Sequence, residues 1–340
     1  MNKAIEMILG AGALLLAGCA KETPEDVGSG VEIVAQAELP ASVSVSGAST
    51  RAVADPSQEM TLWFARSDAI NITTYGPWQS SALKAVRAGG DGAQQLTFSP
   101  AQYYLTDGKW SRMVGWYPGG GVLPGGPDGY YDGTAVSWTI DGRQDILLSN
   151  IATGVKTRPK MDHITFAHAL AQVRFYFYAE NEQAAAAWGP VEGVTVLGQR
   201  SVASFIPGKT SLDFSGEADG VFSAANFSEL TVPAGTASDA VPGGDPVMIE
   251  PHKEPVGLTL AVRFSEGGQE LVTVAARSYP AGACVKVYVK LTPKEIVVEP
   301  ELSVDAWESG SSHEVSTGTV TDPTLSVEGW NNGIQSEIIY

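Results

Sequence analysis

Two cysteines in 340 residues are too few for a disulfide framework. Four histidines, scattered along the chain, form no zinc-binding helix motif, and no glycine-flanked serine marks a hydrolase nucleophile elbow. Basic residues are also scarce. With 21 Lys and Arg against 38 Asp and Glu, the net charge is −17, which makes nucleic acid a poor partner. Long helical periodicity is lacking, and no repeat of roughly 40–50 residues suggests a propeller. No metal loop is legible either: the aspartates between Gly119 and Gly133 lack the alternating oxygen ligands and closing Glu of a calcium site. What remains is a chain 44% hydrophobic with 38 glycines, the composition of a globular protein with many tight turns.

Short runs with period-2 alternation recur from Met60 to Thr292, the signature of an all-β protein. The stretch His163–Tyr178 is the most pronounced. Val173, Phe175 and Phe177 alternate with Gln172, Arg174, Tyr176 and Tyr178, so this half reads as a half-buried strand. His168 reads as a core or turn histidine with one satisfied hydrogen bond. Leu258, Leu260, Val262 and Phe264 share one strand face. Val285, Val287, Val289 and Leu291 share another, which places Cys284 on the wetter side as an inert small residue. Gly119–Gly133 reads as a long exposed loop. Its Tyr130 and Tyr131, with Trp116 and Tyr117, either tuck onto the sandwich or form a sugar-binding patch. Asn181–Trp188 reads as a helical linker. The organisation expected is a signal peptide (1–18), a tether with a leader strand (19–51), an N-terminal β-sandwich (52–180), a C-terminal β-sandwich (190–315) and a tail (316–340).

At the N-terminus, the apolar run Met7–Ala17 follows Lys3 and is too short for a mature membrane span. It ends in Leu16-Ala17-Gly18-Cys19, the arrangement of a bacterial lipobox; the other reading is an ordinary signal peptide with a chance cysteine. Acylation at Cys19 gives stable anchoring with two or three chains. Residues 31–46 alternate as far as Pro40, which implies two short strands or one kinked edge strand. The polar Ser49-Thr50-Arg51-Ala52 that follows is a good protease target if exposed. At the other end, Leu302-Ser-Val304-Asp305-Ala-Trp307-Glu-Ser-Gly310 is repeated as Leu325-Ser-Val327-Glu328-Gly-Trp330-Asn-Asn-Gly333. One copy can close the second domain. The other is either a spare strand for an open sheet edge or a hairpin on its own domain.

Phe166-x-His168-Ala-Leu170-Ala-x-Val173, preceded by Tyr103-Tyr104-Leu105, by Val114-Gly-Trp116-Tyr117-Pro118 and by Arg143-Gln-Asp145-Ile-Leu147-Leu148, resembles the Bacteroidetes fimbrillin family, the Mfa-like and FimA-like type V pilin lipoproteins. That resemblance implies two tandem transthyretin-like β-sandwich domains and no enzymatic activity. It implies an outer membrane lipoprotein at the cell surface, passing into the fimbrium after processing. No cofactor is implied beyond the acyl lipid on Cys19. Lys21-Glu22 to Glu25-Asp26 resembles the surface-export tag of such lipoproteins, or is a solvated tether. The implied partners are other fimbrial subunits, an Arg-specific protease cutting between Arg51 and Ala52, and the outer membrane. The tail is then a donor strand carrying Leu325, Val327 and Trp330. The alternative is a non-polymerising, glycan-binding or adhesive surface lipoprotein.

Overall fold

A computed structural model describes residues 30–40, 43–44, 54–71, 74–119, 129–265, 268–293, 295–305 and 308–309. Cys19, Arg51, Ala52, Trp307 and the tail residues Leu325, Val327 and Trp330 lie outside them. The described chain is all-β with one short α-helix.

The N-terminal half contains β1 (Ala35–Glu38), β2 (Val43–Ser44), β3 (Met60–Asp68), β4 (Leu83–Arg87), β5 (Ala93–Ser99), β6 (Trp110–Tyr117), β7 (Tyr130–Tyr131), β8 (Val136–Thr139), β9 (Leu147–Val155) and β10 (Ile164–His168). Seven of these close on themselves in the order β1-β10-β9-β6-β3-β4-β5, with β5 returning to β1. Alternation explains the closure. Leu62 and Phe64 on β3, Phe98 on β5, Met113 on β6 and Phe166 on β10 all point inward and are buried. The Phe64 ring meets Phe98 and Phe166 edge-on at 5.6 and 6.1 Å. Gly115 is required here, because a Cβ would come within 2.5 Å of the Phe64 ring. Where a two-sheet sandwich was expected, the first sheet system is thus a barrel, and the leader strand β1 is one of its staves.

The rest comprises β11 (Ala171–Ala179), α1 (Glu182–Trp188), β12 (Val191–Gln199), β13 (Val202–Phe205), β14 (Asp213–Ser215), β15 (Gly220–Ser223), β16 (Val241–Pro242), β17 (Val247–Ile249), β18 (His252–Phe264), β19 (Gln269–Tyr279), β20 (Cys284–Leu291), β21 (Ile296–Asp305) and β22 (Glu308–Ser309). One sheet runs β16-β11-β20-β21, with β17 also on β11, and the other runs β15-β12-β18-β19. Their inner faces form one core containing Val173, Phe175, Phe177, Val196, Leu260 and Val287. A third sheet, β14-β13-β8-β7, joins the halves by pairing β8 with β13.

The central stretch does not end the first unit. After Leu170, β11 pairs in parallel with β20 over its length, from Gln172↔Cys284 to Ala179↔Leu291. β11 lies inside this sheet, and its second face is covered at both ends but only half-buried at Arg174 and Tyr176. Accordingly Gln172 and Tyr178 are buried along with the expected Val173, Phe175 and Phe177. The chain therefore crosses from the barrel to the sandwich at Ala169–Leu170, before the expected boundary at residue 180. The helix α1 then sits within the second unit rather than between units. Its Asn181 side chain caps Ala184 N at 2.9 Å, and Gly189 stops it at φ 69°.

Candidate functional site

β1 occupies a groove between β5 and β10. It is antiparallel to β5 (Ala35↔Leu96, Gln36↔Gln95, Ala37↔Gln94, Glu38↔Ala93) and parallel to β10 (Ala37↔Ile164, Glu38↔Thr165). Before the strand proper, Ile33 N donates to Gln102 O at 2.8 Å and Val34 N to Pro159 O at 3.0 Å. Tyr104 N donates to Val31 O and Met161 N to Val34 O, so both groove walls bond the leader. Ile33, Ala35, Ala37 and Leu39 point into the barrel at 3%, 0%, 0% and 5% exposure, while Val34 faces out. Full burial of Ile33 and Leu39 contributes about 1.5–3 kcal/mol each. At the rim, His163 Nε2 lies 2.8 Å from Glu38 Oε2 in an exposed pair. Of the two readings of residues 31–46, two short strands is the one seen, β1 and β2 on either side of Pro40, and β1 is an interior stave with ladder partners on both sides rather than an edge.

Beneath the groove lies Arg87, fully buried. Its Nε donates to Ala37 O (3.0 Å), its Nη1 to Pro56 O (3.0 Å) and Ala88 O (2.9 Å), and its Nη2 to Gly90 O (2.7 Å) and Gly92 O (2.8 Å). All five donors of the guanidinium are thus matched to main-chain carbonyl oxygens. Burial lowers its pKa, and the charges of Asp91 and Glu38 oppose that shift. Arg87 ties together the leader, its own hairpin and the segment that follows the proposed cut. The same segment is held a second time. Ala54 N donates to Asp145 Oδ2 at 3.1 Å, while Asp145 Oδ1 lies 2.6 Å from His168 Nδ1, both side chains being fully buried. His168 is thus a core histidine whose described partner is a carboxylate. The Tyr117 hydroxyl is pushed up to about 12 by burial first and by Asp145 second.

Arg87 is absent from the residues singled out by sequence. Its signal was parity: in Leu83-Lys84-Ala85-Val86-Arg87 it shares the inward face with Ala85. Cys284, expected on the wetter side of its strand, is buried at 0% exposure. That side is half-buried at Lys286, Tyr288 and Lys290, and its first residue is covered completely where β20 enters the sheet between β11 and β21. Of the loop aromatics, Tyr131 is buried with its ring 5.8 Å from Trp116, whereas Tyr130 is 63% exposed. Tyr130 borders a cleft of about 300 Å³ with Trp63, Ser80, Ser81 and Ala82. Among the described residues, no three His, Cys, Asp or Glu side chains gather as a metal site, and no helix is long and apolar enough to cross a membrane.

The fold is similar to that of solved Bacteroides proteins. One, from Bacteroides uniformis, is described as a "putative cell adhesion protein"; it is 15% identical, with a TM-score of 0.53 over 83% of this chain and 99% of that one. A protein of the same description from Bacteroides ovatus is 13% identical, with a TM-score of 0.50 over 83% and 100%. A fimbrial protein from Bacteroides vulgatus is more distant, 8% identical with a TM-score of 0.43 over 80% and 99%. With the first two, at these identities, what is shared is the fold. No protein-family model and no curated protein matches the sequence.

Proposed function

We propose that this chain is a structural subunit of a fimbrium, exported as a surface lipoprotein through Cys19 and assembled by strand exchange. One observation carries the reading: β1 completes the barrel from a segment that precedes Arg51, so a cut between Arg51 and Ala52 severs a stave from its barrel. Anchors at Ala54 and Pro56 keep the remaining chain in place after such a cut. β2 pairs with β22, so the same leader also holds the root of the tail. Once free, a tail with Leu325, Val327 and Trp330 supplies a strand to a neighbouring subunit. The partners are other fimbrial subunits, an Arg-specific protease and the outer membrane. No catalysis is involved. The test is Arg-specific digestion of surface material, followed by a denaturing gel with and without boiling. A new N-terminus at Ala52 and a ladder that collapses on boiling support the reading. Intact barrels that are cut only elsewhere, or a single band in both lanes, overturn it.

The cleft beside Tyr130 supports a second reading, a non-polymerising glycan-binding lipoprotein, because an exposed ring beside serine hydroxyls suits a sugar. Glycan-array binding that is lost in Tyr130→Ala, with no ladder, favours that reading.

A further inference from the structure

Four inward side chains of unequal size fill the groove that holds β1, and in a close-packed core the space at each matches its occupant. The end sites hold Ile33 and Leu39. The two between them hold Ala35 and Ala37, each at 0% exposure inside the barrel core. Main-chain bonding by the groove is unselective. The ladders with β5 and β10 and the Arg87 bond to the carbonyl of residue 37 accept any strand of the right parity, because carbonyls on one strand edge recur every two residues. Selection therefore falls on the two central side-chain sites. Adding methyl groups to a packed core is destabilising even when both residues are apolar.

We propose that the strand replacing β1 comes from a different subunit, and that it carries two residues no larger than alanine at alternate positions, flanked two residues away on each side by larger apolar ones. This inference rests on the exchange reading above and specifies its partner. The tail of this chain does not fit. With Leu325 in the Ile33 site, Val327 enters the Ala35 site. With Val327 in the Ile33 site, Asn331 is buried in the Ala37 site and Gly333 replaces Leu39. With Ile334 there, Ile338 enters the Ala37 site. Trp330 has the opposite parity to Leu325 and Val327, so an unbroken strand turns it to the other face. The large-small-small-large order is symmetric, so reversing the strand gives no relief. The size rule thus keeps the tail out of this chain's own groove, which makes this chain one member of a mixed polymer.

The test has two parts. In the uncut full-length chain, Ala35→Val and Ala37→Val are compared with Val34→Ala, an outward-facing control, by thermal unfolding. Then the chain trimmed at Arg51 is mixed with fluorescent peptides: Val31–Pro40, the same peptide with Ala35→Val or Ala37→Val, and Thr324–Tyr340. We expect both valine variants to unfold at lower temperature than the control. We expect the leader peptide to enter the groove, each valine peptide to bind about tenfold more weakly or worse (about 1.4 kcal/mol), and the tail peptide not to compete. Valine variants as stable as the control, or valine or tail peptides that bind within twofold of the leader, overturn the size rule. If the valine variants are destabilised but no peptide enters, the leader included, then the exchange reading itself fails and the partner claim falls with it.

Discussion

Replacing Arg87 by lysine tests how the leader is held. The guanidinium makes five hydrogen bonds of 2.7–3.0 Å to carbonyl oxygens. A lysine ammonium has three donors, so at least two carbonyls lose theirs. A hydrogen bond to a charged group contributes about 1.5–3 kcal/mol net, which puts the loss at about 3–6 kcal/mol. Gly92 is exposed and Gly90 half-buried, so water can replace the donor at those two carbonyls. The lower end, about 3 kcal/mol, is therefore expected. That is a large share of the roughly 5–15 kcal/mol by which domains are stable. Urea unfolding followed by tryptophan fluorescence measures it, with an unchanged slope showing that both states keep their compactness. Ala37 O is the acceptor that leaves with the leader, so the substitution also speeds leader release after trimming, by about tenfold or more if that bond is lost. A stability loss below about 1 kcal/mol, or a trimmed variant that releases labelled leader no faster than its parent, refutes this account of Arg87.

Other outcomes follow from the same contacts. Asp145→Asn replaces a charged acceptor shared by Ala54 N and His168 Nδ1 with a neutral amide that accepts at only one of its two atoms, at a cost of about 1–3 kcal/mol; limited proteolysis should then cut more readily between Ala54 and Gln58. Burial pushes the Tyr104 and Tyr279 hydroxyls up to about 12 from an unfolded value near 10. The native state then holds protons that the unfolded chain has lost, so the stability these groups contribute is complete below about pH 10 and is lost as pH rises toward 12, at about 1.4 kcal/mol per pKa unit for each tyrosine. Alkaline unfolding followed by tyrosinate absorbance should show this, with a shallower loss in Tyr104→Phe. Cys19→Ala should abolish acyl labelling and membrane retention of the precursor; unchanged labelling refutes the lipobox reading. Deleting Thr324–Tyr340 should leave the unfolding transition of the trimmed chain in place, and a collapse of that transition identifies the tail as a structural hairpin.

Strands were legible wherever alternation was local. β8, β18 and β20 lie where their apolar periods place them, because each has one face on a core and one largely toward water or a polar neighbour. Two features depend on partners distant in sequence and were not legible. The unit boundary follows from parallel pairing of β11 with β20, and nothing in Ala171–Ala179 names that partner. The buried arginine shows only as an inward parity position in β4, a weak signal until five carbonyls are seen to surround it.

The leader carried more information than its alternation alone. Strands favour β-branched residues at buried positions, yet Ala35 and Ala37 sit at the two most buried positions of β1. A groove with room for large side chains there would bury more apolar surface on a permanent strand. Small ones leave the leader held mainly by its ends, Ile33 and Leu39, and by main-chain bonds that any strand can make. A strand bound in that way is held firmly while it is covalently attached. Once cut, it loses the advantage of tethering and competes on affinity alone. The two alanine-sized positions thus limit how much apolar surface any occupant can bury there, a limit that suits the proposed exchange and would not be needed by a permanent stave.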